Sequence, residues 1–366
     1  MNILITAPSL NPTQNVSGVS SVVQTIIQYN KQQHYYHYLL GRPDKKRSKI
    51  IWFIQMIKQI VAFPFALKRN KIDLVHQNLP FDPKGLTREY IINWWCRIMK
   101  TPVLLHIHGG IFLMNGTNNP ILRKMAKSLF EHCKQVVVLS ELEKDAINNF
   151  YQFPSTIVLV NSVNTALYQS APKKLPKEKP TLLFLGRIHE SKGVEDIMEA
   201  FRILKKQMDF RFLLCGAGPL KDQFVSDCEQ LLGDDFEFQG VVSGQKKIDM
   251  IQKSHFLLLP SRYGEGLPIA LLETMAAGVV PVVTDDASMK FVVQHQFNGI
   301  RVEKNNPKDL YEKLSFVLTD PINYKYLSEN SVKTIESKYD ITNYIYQLNN
   351  IYISSLDKNK LYVNEL

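Results

Sequence analysis

Ser261-Arg-Tyr-Gly-Glu265-Gly-Leu-Pro-Ile-Ala-Leu-Leu-Glu273-Thr-Met-Ala-Ala-Gly278 decides how this chain is read. The apolar run at residues 256–259, just ahead of it, reads as a short buried strand. Pro268 suits the first turn of a helix and Gly278 its end, so Glu265 falls in the loop and Glu273 inside the helix. Within residues 269–277 only Glu273 and Thr274 carry polar side chains. An ionised carboxylate on so apolar a helix is costly unless it is paired or hydrogen-bonded. A pair of ribose hydroxyls would satisfy it; the alternative is that Glu273 reaches the solvent edge of the helix. The free backbone N–H groups at the start of such a helix attract phosphate, and Gly266 permits close approach of a ligand to the backbone.

Outward from this segment, the same strand–turn–helix unit recurs. In the first half, strands are predicted at residues 3–6, 35–40, 74–76, 103–107, 135–139 and 156–160, with helical stretches at 19–29, 52–68 and 88–99. Ser170-Ala-Pro-Lys-Lys-Leu-Pro-Lys-Glu-Lys-Pro180 interrupts the alternation. Rich in proline and charge, with one lone leucine, it reads as a linker. Strands resume at 181–185, 211–215, 236–239, 256–259, 280–284 and 300–302, and from residue 322 the pattern is helical and polar. The fold class is α/β: two doubly wound, Rossmann-like domains facing across a cleft, with ligands expected beyond the carboxyl ends of the strands. The expected boundaries are 1–170 for the first domain, 171–180 for the linker, 181–335 for the second domain and 336–366 for terminal helices.

At one such strand end stands Gly186-Arg187-Ile-His-Glu-Ser-Lys192-Gly193. Arg187 offers a fork of donors to phosphate oxygens and Lys192 a mobile point charge, so together they could neutralise a diphosphate. Two cations in a loop are also commonly just solvated. The whole chain carries 44 basic against 34 acidic residues, a net +10, which favours anionic partners. Arg42, Lys45, Lys46, Arg47 and Lys49 cluster directly before the apolar residues 50–67. That pairing reads either as a solvated loop before a core helix or as a membrane-docking surface. Gln55, Lys58, Gln59 and Pro64 make it a poor membrane span. No aromatic-interleaved basic signature indicates nucleic acid.

With 45% hydrophobic and 21% charged residues the composition is that of a soluble globular protein. Met-Asn-Ile-Leu-Ile-Thr lacks a secretory signal's basic start, and the four cysteines show no C-x-x-C spacing, so a cytoplasmic setting is expected. No metal site is expected: Asp234-Asp235 and Asp285-Asp286 are adjacent pairs with diverging side chains, not an Asp-x-Asp. Gly216-Ala-Gly218 after a strand invites a dinucleotide reading, but Lys221 stands where the third glycine is needed. His106 and His108 flank Ile107; they are read as pointing to opposite faces, His108 toward the crevice and His106 structural.

Gly-Arg-x4-Lys-Gly at 186–193, followed by Glu-x7-Glu at 265–273 after a Pro-Ser, resembles family 4 of the retaining glycosyltransferases, which have the GT-B fold. Cys215-Gly-Ala-Gly-Pro219 and Phe238-Gln-Gly-Val241 match that family in order and spacing; the likeness is strong over 181–318 and looser before it. The resemblance implies a nucleotide-diphosphate sugar as donor in the second domain, a hydroxyl acceptor in the first, and no cofactor beyond the donor; the basic stretch before Ile50 points to a lipid-linked saccharide at the inner membrane face as that acceptor, as in surface polysaccharide assembly. It further implies that Arg187 and Lys192 hold the diphosphate, that Glu273 binds the ribose, and that Glu265, Gly266 and Leu267 lie near the donor sugar. Val241 and Val242 would sit near the base, with the Gly216 turn beside them. In the first domain, Gly18 would belong to the turn that approaches the phosphates, and His108 would stand beside the transferred sugar. Many family members carry two glycines in that first turn where this chain has Ser17-Gly18. The terminal helices are implied to pack back on the first domain. Retention is implied too, by a same-face displacement assisted by the departing phosphate, since no carboxylate is obviously placed as a nucleophile. The rival readings are a nucleotide-sugar epimerase of the same architecture and a non-catalytic nucleotide-sugar-binding protein.

Overall fold

The computed structural model describes residues 1–11, 14–15, 17–41, 49–168, 173–176, 179–263, 266–285 and 289–356. Glu265, Asp286 and the basic residues Arg42, Lys45, Lys46 and Arg47 lie outside the described residues. The chain forms two compact units, Met1–Asn161 with Thr342–Leu366, and Ser162–Ile341.

In the first unit six strands, β1 (Asn2–Ala7), β2 (His34–Leu39), β3 (Leu74–Leu79), β4 (Val103–Ile107), β5 (Gln135–Val138) and β6 (Thr156–Val158), form a sheet in the order β2-β1-β3-β4-β5-β6. All its pairings are parallel. The second unit repeats the plan with β7 (Thr181–Leu185), β8 (Arg211–Cys215), β9 (Phe236–Gly240), β10 (Phe256–Leu259), β11 (Val280–Thr284) and β12 (Ile300–Val302), in the order β12-β11-β10-β7-β8-β9. These pairings are parallel as well. Strands such as Phe-Leu-Leu-Leu in β10 are apolar throughout because helices cover both faces of a parallel sheet. Phe184, Phe201, Phe212, Phe256 and Leu258 fill the core on one face of the second sheet. Strand order reverses between β1 and β3 in one unit and between β7 and β10 in the other. Connections then leave the sheet in opposite directions, and a crevice opens beyond the strand ends at that point.

Three expectations need correction. Of the expected linker 171–180, the described residues 173–176 pack on the second unit. Leu175 is buried in the core of the second unit, and Lys173 Nζ donates to the carbonyls of Ile251, Gln252 and Ser254 at 3.3, 2.6 and 2.7 Å. Those carbonyls end the helix Gly244–Lys253, where a cation answers both the unpaired acceptors and the helix dipole. Burial lowers the Lys173 ammonium to about 8. The chain therefore passes between units near residue 161, earlier than its composition suggests, and returns near residue 341.

The helix Lys49–Arg69 is not a core helix either. It buries Phe63 and Leu67, with Ile60 and Ala66 packed beside them, and leaves most of its other apolar side chains exposed. Among the described residues no helix is long and apolar enough to cross a membrane. The terminal stretch divides: Pro321–Lys338 stays with the second unit, and Ile341–Ser355 packs on the first. There Asn349 Oδ1 accepts from Asn30 Nδ2 at 2.9 Å and Tyr352 bonds to Tyr35 and His76.

The third correction concerns the histidines. Residues two apart on a strand share a face, and the rings of His106 and His108 lie 4.1 Å apart. They belong to one buried polar line. Asn30 Nδ2 donates to the Tyr35 hydroxyl (2.8 Å), which donates to that of Tyr352 (3.3 Å). Tyr352 then has its own proton for His76 Nδ1 (2.7 Å), which leaves His76 Nε2–H to donate to His106 Nδ1 (3.2 Å). Burial holds His76 at about 3 and His106 well below its ordinary value, so both are neutral.

Candidate functional site

The loops at the carboxyl ends of β10, β7, β8 and β9 are stitched together by main-chain bonds that continue the sheet. Arg262 N–H donates to Ser191 O at 2.9 Å, Gly186 N–H to Cys215 O at 3.0 Å, Ile188 N–H to Ala217 O at 3.0 Å, and Gly216 N–H to Gly240 O at 2.7 Å. Two glycines are required by this stitching. A Cβ on Gly193, whose φ is +67°, would stand 2.0 Å from Pro260 O, and one on Gly216 would stand 1.8 Å from Gly186 O. Arg187, Lys192, Gly216, Val241, Val242, Gly266 and Leu267 are therefore all carried by loops on one edge of one sheet, astride its point of reversal. Arg187 and Val241 are exposed, Lys192 and Gly266 half-buried, Val242 and Leu267 buried.

The helices that leave these loops share a feature. Among the described residues no side chain caps the start of Val194–Leu204, Lys221–Leu232, Gly244–Lys253 or Ile269–Ala276. Farther from the reversal point the caps return: Asn306 accepts from Asp309 N–H, and Asp320 from Ile322 and Asn323 N–H. An uncapped first turn directs unpaired N–H groups and the positive end of the helix dipole outward, which suits an anion.

Glu273 is neither on a solvent edge nor free. It is 7% exposed, its Oε1 accepts from the Tyr168 hydroxyl at 2.9 Å, and Lys247 Nζ forms an ion pair with the same oxygen. These partners keep an ionised carboxylate tolerable inside an apolar helix. Sequence reading missed both, since Tyr168 lies 105 residues away and nothing local marks it. Also missed was Arg262, which grips Asp196 through two bonds of 2.7 and 3.1 Å and Glu195 through one of 2.5 Å. It clamps the loop after β10 onto the helix after β7. A separate cavity of about 280 Å³, lined by Val194, Glu199, Phe224 and Asp227 among others, lies behind this clamp, between helices Val194–Leu204 and Lys221–Leu232.

In the first unit, His108 follows β4 and is half-buried. Asn78 Nδ2 donates to Thr6 O at 2.8 Å, so Asn78 Oδ1 is turned toward His108 and accepts from its Nε2–H at 2.6 Å. That bond sets the tautomer with the proton on Nε2, and burial lowers the ring's proton affinity. Gly18 opens the helix Gly18–Tyr29, whose first turn is closed by Ser17 Oγ accepting from Ser20 N–H at 3.2 Å. Asp235 pairs with Lys179 and Lys205, and Asp285 with Arg301. Among the described residues no group of three His, Cys, Asp or Glu side chains could hold a metal ion.

Against this geometry the comparisons are informative. Residues 168–334 match the family model of glycosyl transferases group 1. An uncharacterised glycosyltransferase of Methanocaldococcus jannaschii is 26% identical over 239 residues, 62% of this chain and 61%, less than two thirds, of that relative. The N,N'-diacetylbacillosaminyl-diphospho-undecaprenol alpha-1,3-N-acetylgalactosaminyltransferase of Campylobacter jejuni is 25% identical over 70% of this chain and 73% of its own length. Anabaena HepE in complex with UDP superposes with a TM-score of 0.76 at 15% identity, over 97% of this chain and 100% of that one, which shows the GT-B fold. Over residues 168–334, a little under half of its length, the chain carries a domain matching the group 1 glycosyltransferases.

Proposed function

We propose that the protein transfers a sugar from a nucleotide-diphosphate donor to a hydroxyl acceptor, with retention of configuration. The observation that carries this reading is the conjunction, at the reversal point of the second sheet, of Arg187 and Lys192 with helix starts that lack side-chain caps. Arg187 and Lys192 take the diphosphate, whose negative charge grows as the sugar bond breaks. Glu273, held by Tyr168 and Lys247, receives the ribose hydroxyls, and Val241 and Val242 flank the base. Gly266 and Leu267, with Glu265, attend the donor sugar; the first unit, with His108, serves the acceptor half. In the transfer, the bond from the anomeric carbon to the diphosphate oxygen breaks with its electron pair leaving on that oxygen. The same oxygen takes the acceptor hydroxyl's proton as the new glycosidic bond forms on the same face. The two cations balance the leaving group, with no cofactor beyond the donor.

HepE was crystallised with UDP, and the Campylobacter relative's name places it on a diphospho-undecaprenol acceptor. Both support a uridine-type donor as the first to try and a lipid-linked saccharide as acceptor, at the inner face of a membrane, in surface polysaccharide or glycolipid synthesis. The test is a melting-temperature panel of nucleoside diphosphates and nucleotide sugars, followed by NMR of the product anomer. A ligand present at a hundred times its Kd stabilises by about 2.7 kcal/mol, so one base should stand out. No stabilisation by any member, or epimerised sugar from donor alone, would overturn the proposal.

A further inference from the structure

Among the described residues of its unit, nothing covers a continuous apolar stripe on the helix Lys49–Arg69. Ile50, Ile54, Ile57, Val61 and Phe65 recur at spacings of three and four and share one face. All five are exposed, Ile50 by 73% and Phe65 by 69%, and Phe53 widens the stripe. Phe63 and Leu67, on the opposite side, anchor the helix to the core. The helix Pro83–Ile98, whose Ile92 and Cys96 join that same core, presents Trp94 and Ile98 outward as well.

Charge identifies what covers this face. Residues 49–69 contain no Asp or Glu, and Lys58, Lys68 and Arg69 are exposed on the helix. A second copy of the chain would bring like charges together along the seam. A surface of anionic lipid would meet the cations with opposite charge and the stripe with acyl chains. Pro64 and Lys58 within the helix agree with a segment lying in the interface plane, and no described helix is apolar enough to span.

We propose that this face docks the protein on an anionic bilayer, the helix lying in the headgroup boundary with Ile50, Phe53, Ile54, Ile57, Val61 and Phe65 inserted. The inference deepens the lipid-linked acceptor reading by naming the surface that would bring the enzyme to such an acceptor. It is tested without donor or acceptor, so its failure is separable from failure of that reading.

The experiment is co-sedimentation of the full chain with phosphatidylcholine vesicles, with and without phosphatidylglycerol, at low and high salt. Binding should be at least about tenfold tighter to the anionic vesicles and should weaken as salt rises. The double variant Ile57→Glu, Phe65→Glu should lose at least about tenfold of that binding. Both side chains are already exposed, so its melting temperature should match the parent's. Equal vesicle binding by parent and variant would overturn the proposal, as would a parent that ignores anionic vesicles. So would a parent that sediments as a dimer which Phe65→Glu splits.

Discussion

The helix after β1 and the helices after β7, β8, β9 and β10 begin at equivalent places, at the carboxyl ends of parallel strands, yet their first turns differ. In the first unit Ser17 Oγ closes the turn. In the second unit four successive helix starts lack side-chain caps among the described residues, even where Ser243 stands at the cap position. A side-chain cap contributes about 1 kcal/mol to a helix start. Its repeated absence on one edge of one sheet, beside Arg187 and Lys192, suits the anion of the proposed function, whereas the starts of Pro307–Leu318 and Pro321–Lys338 are capped. Among the described residues of the first unit, the helix Ile111–Asn115 behind Gly110, adjacent to His108, also starts without a side-chain cap. On the proposed function the contrast assigns phosphate binding to the second unit, while Ser17 caps its own helix.

The largest effect that would sharpen this contrast is on turnover. Lys192→Ala, measured as kcat with the donor found in the melting panel, should fall by about a hundredfold or more, equivalent to about 2.7 kcal/mol. Its melting temperature should stay near the parent's. Unchanged turnover in a folded variant would remove the diphosphate role from this loop.

Next in size is the acid sensitivity of the first unit's buried histidines. His76 sits at about 3 when folded and near 6.5 when unfolded, and His106 is lowered too. A depressed folded value means stability that is complete above pH 6.5 and is lost as pH falls toward 3. At pH 5 His76 should have withdrawn about 2 kcal/mol, and His106 acts in the same direction. Melting temperature should therefore drop between pH 7 and pH 5, with β3 and β4 exposing amides first by hydrogen exchange. An unchanged profile would contradict the neutral His76–His106 pairing.

The smallest effect belongs to Ser17→Ala. It should cost about 1 kcal/mol in denaturant unfolding and leave kcat within about twofold, because the cap serves the helix rather than the donor. A loss of turnover comparable to that of Lys192→Ala would erase the distinction between the two turns.

The strand–helix alternation was legible because parallel strands covered on both sides tend to be continuously apolar, as residues 256–259 and 182–185 are. The placement of Arg187 and Lys192 in the loop after β7, and of Glu273 inside the helix after β10, was legible as well from the strand, glycine and proline signals around them. What escaped depends on distant partners. Leu175 looked isolated in a charged proline-rich stretch until the core of the second unit received it. Glu273 looked unpaired until Tyr168 and Lys247 reached it from other elements. The apolar stretch before Arg69 looked like core because periodicity alone does not say which face finds a partner. The split expected of His106 and His108 was an error of strand geometry, and the ring separation of 4.1 Å corrects it.

Hydrogen exchange of the full chain with and without a saturating nucleoside diphosphate, chosen from the melting panel, tests the contrast most directly. Amides of Gly186–Gly193 and of Gly266–Ile269 should become protected, while those at Ser17–Ser20 stay unchanged. Protection at Ser17–Ser20 without any at Gly186–Gly193 would contradict the assignment of the phosphates to the second unit.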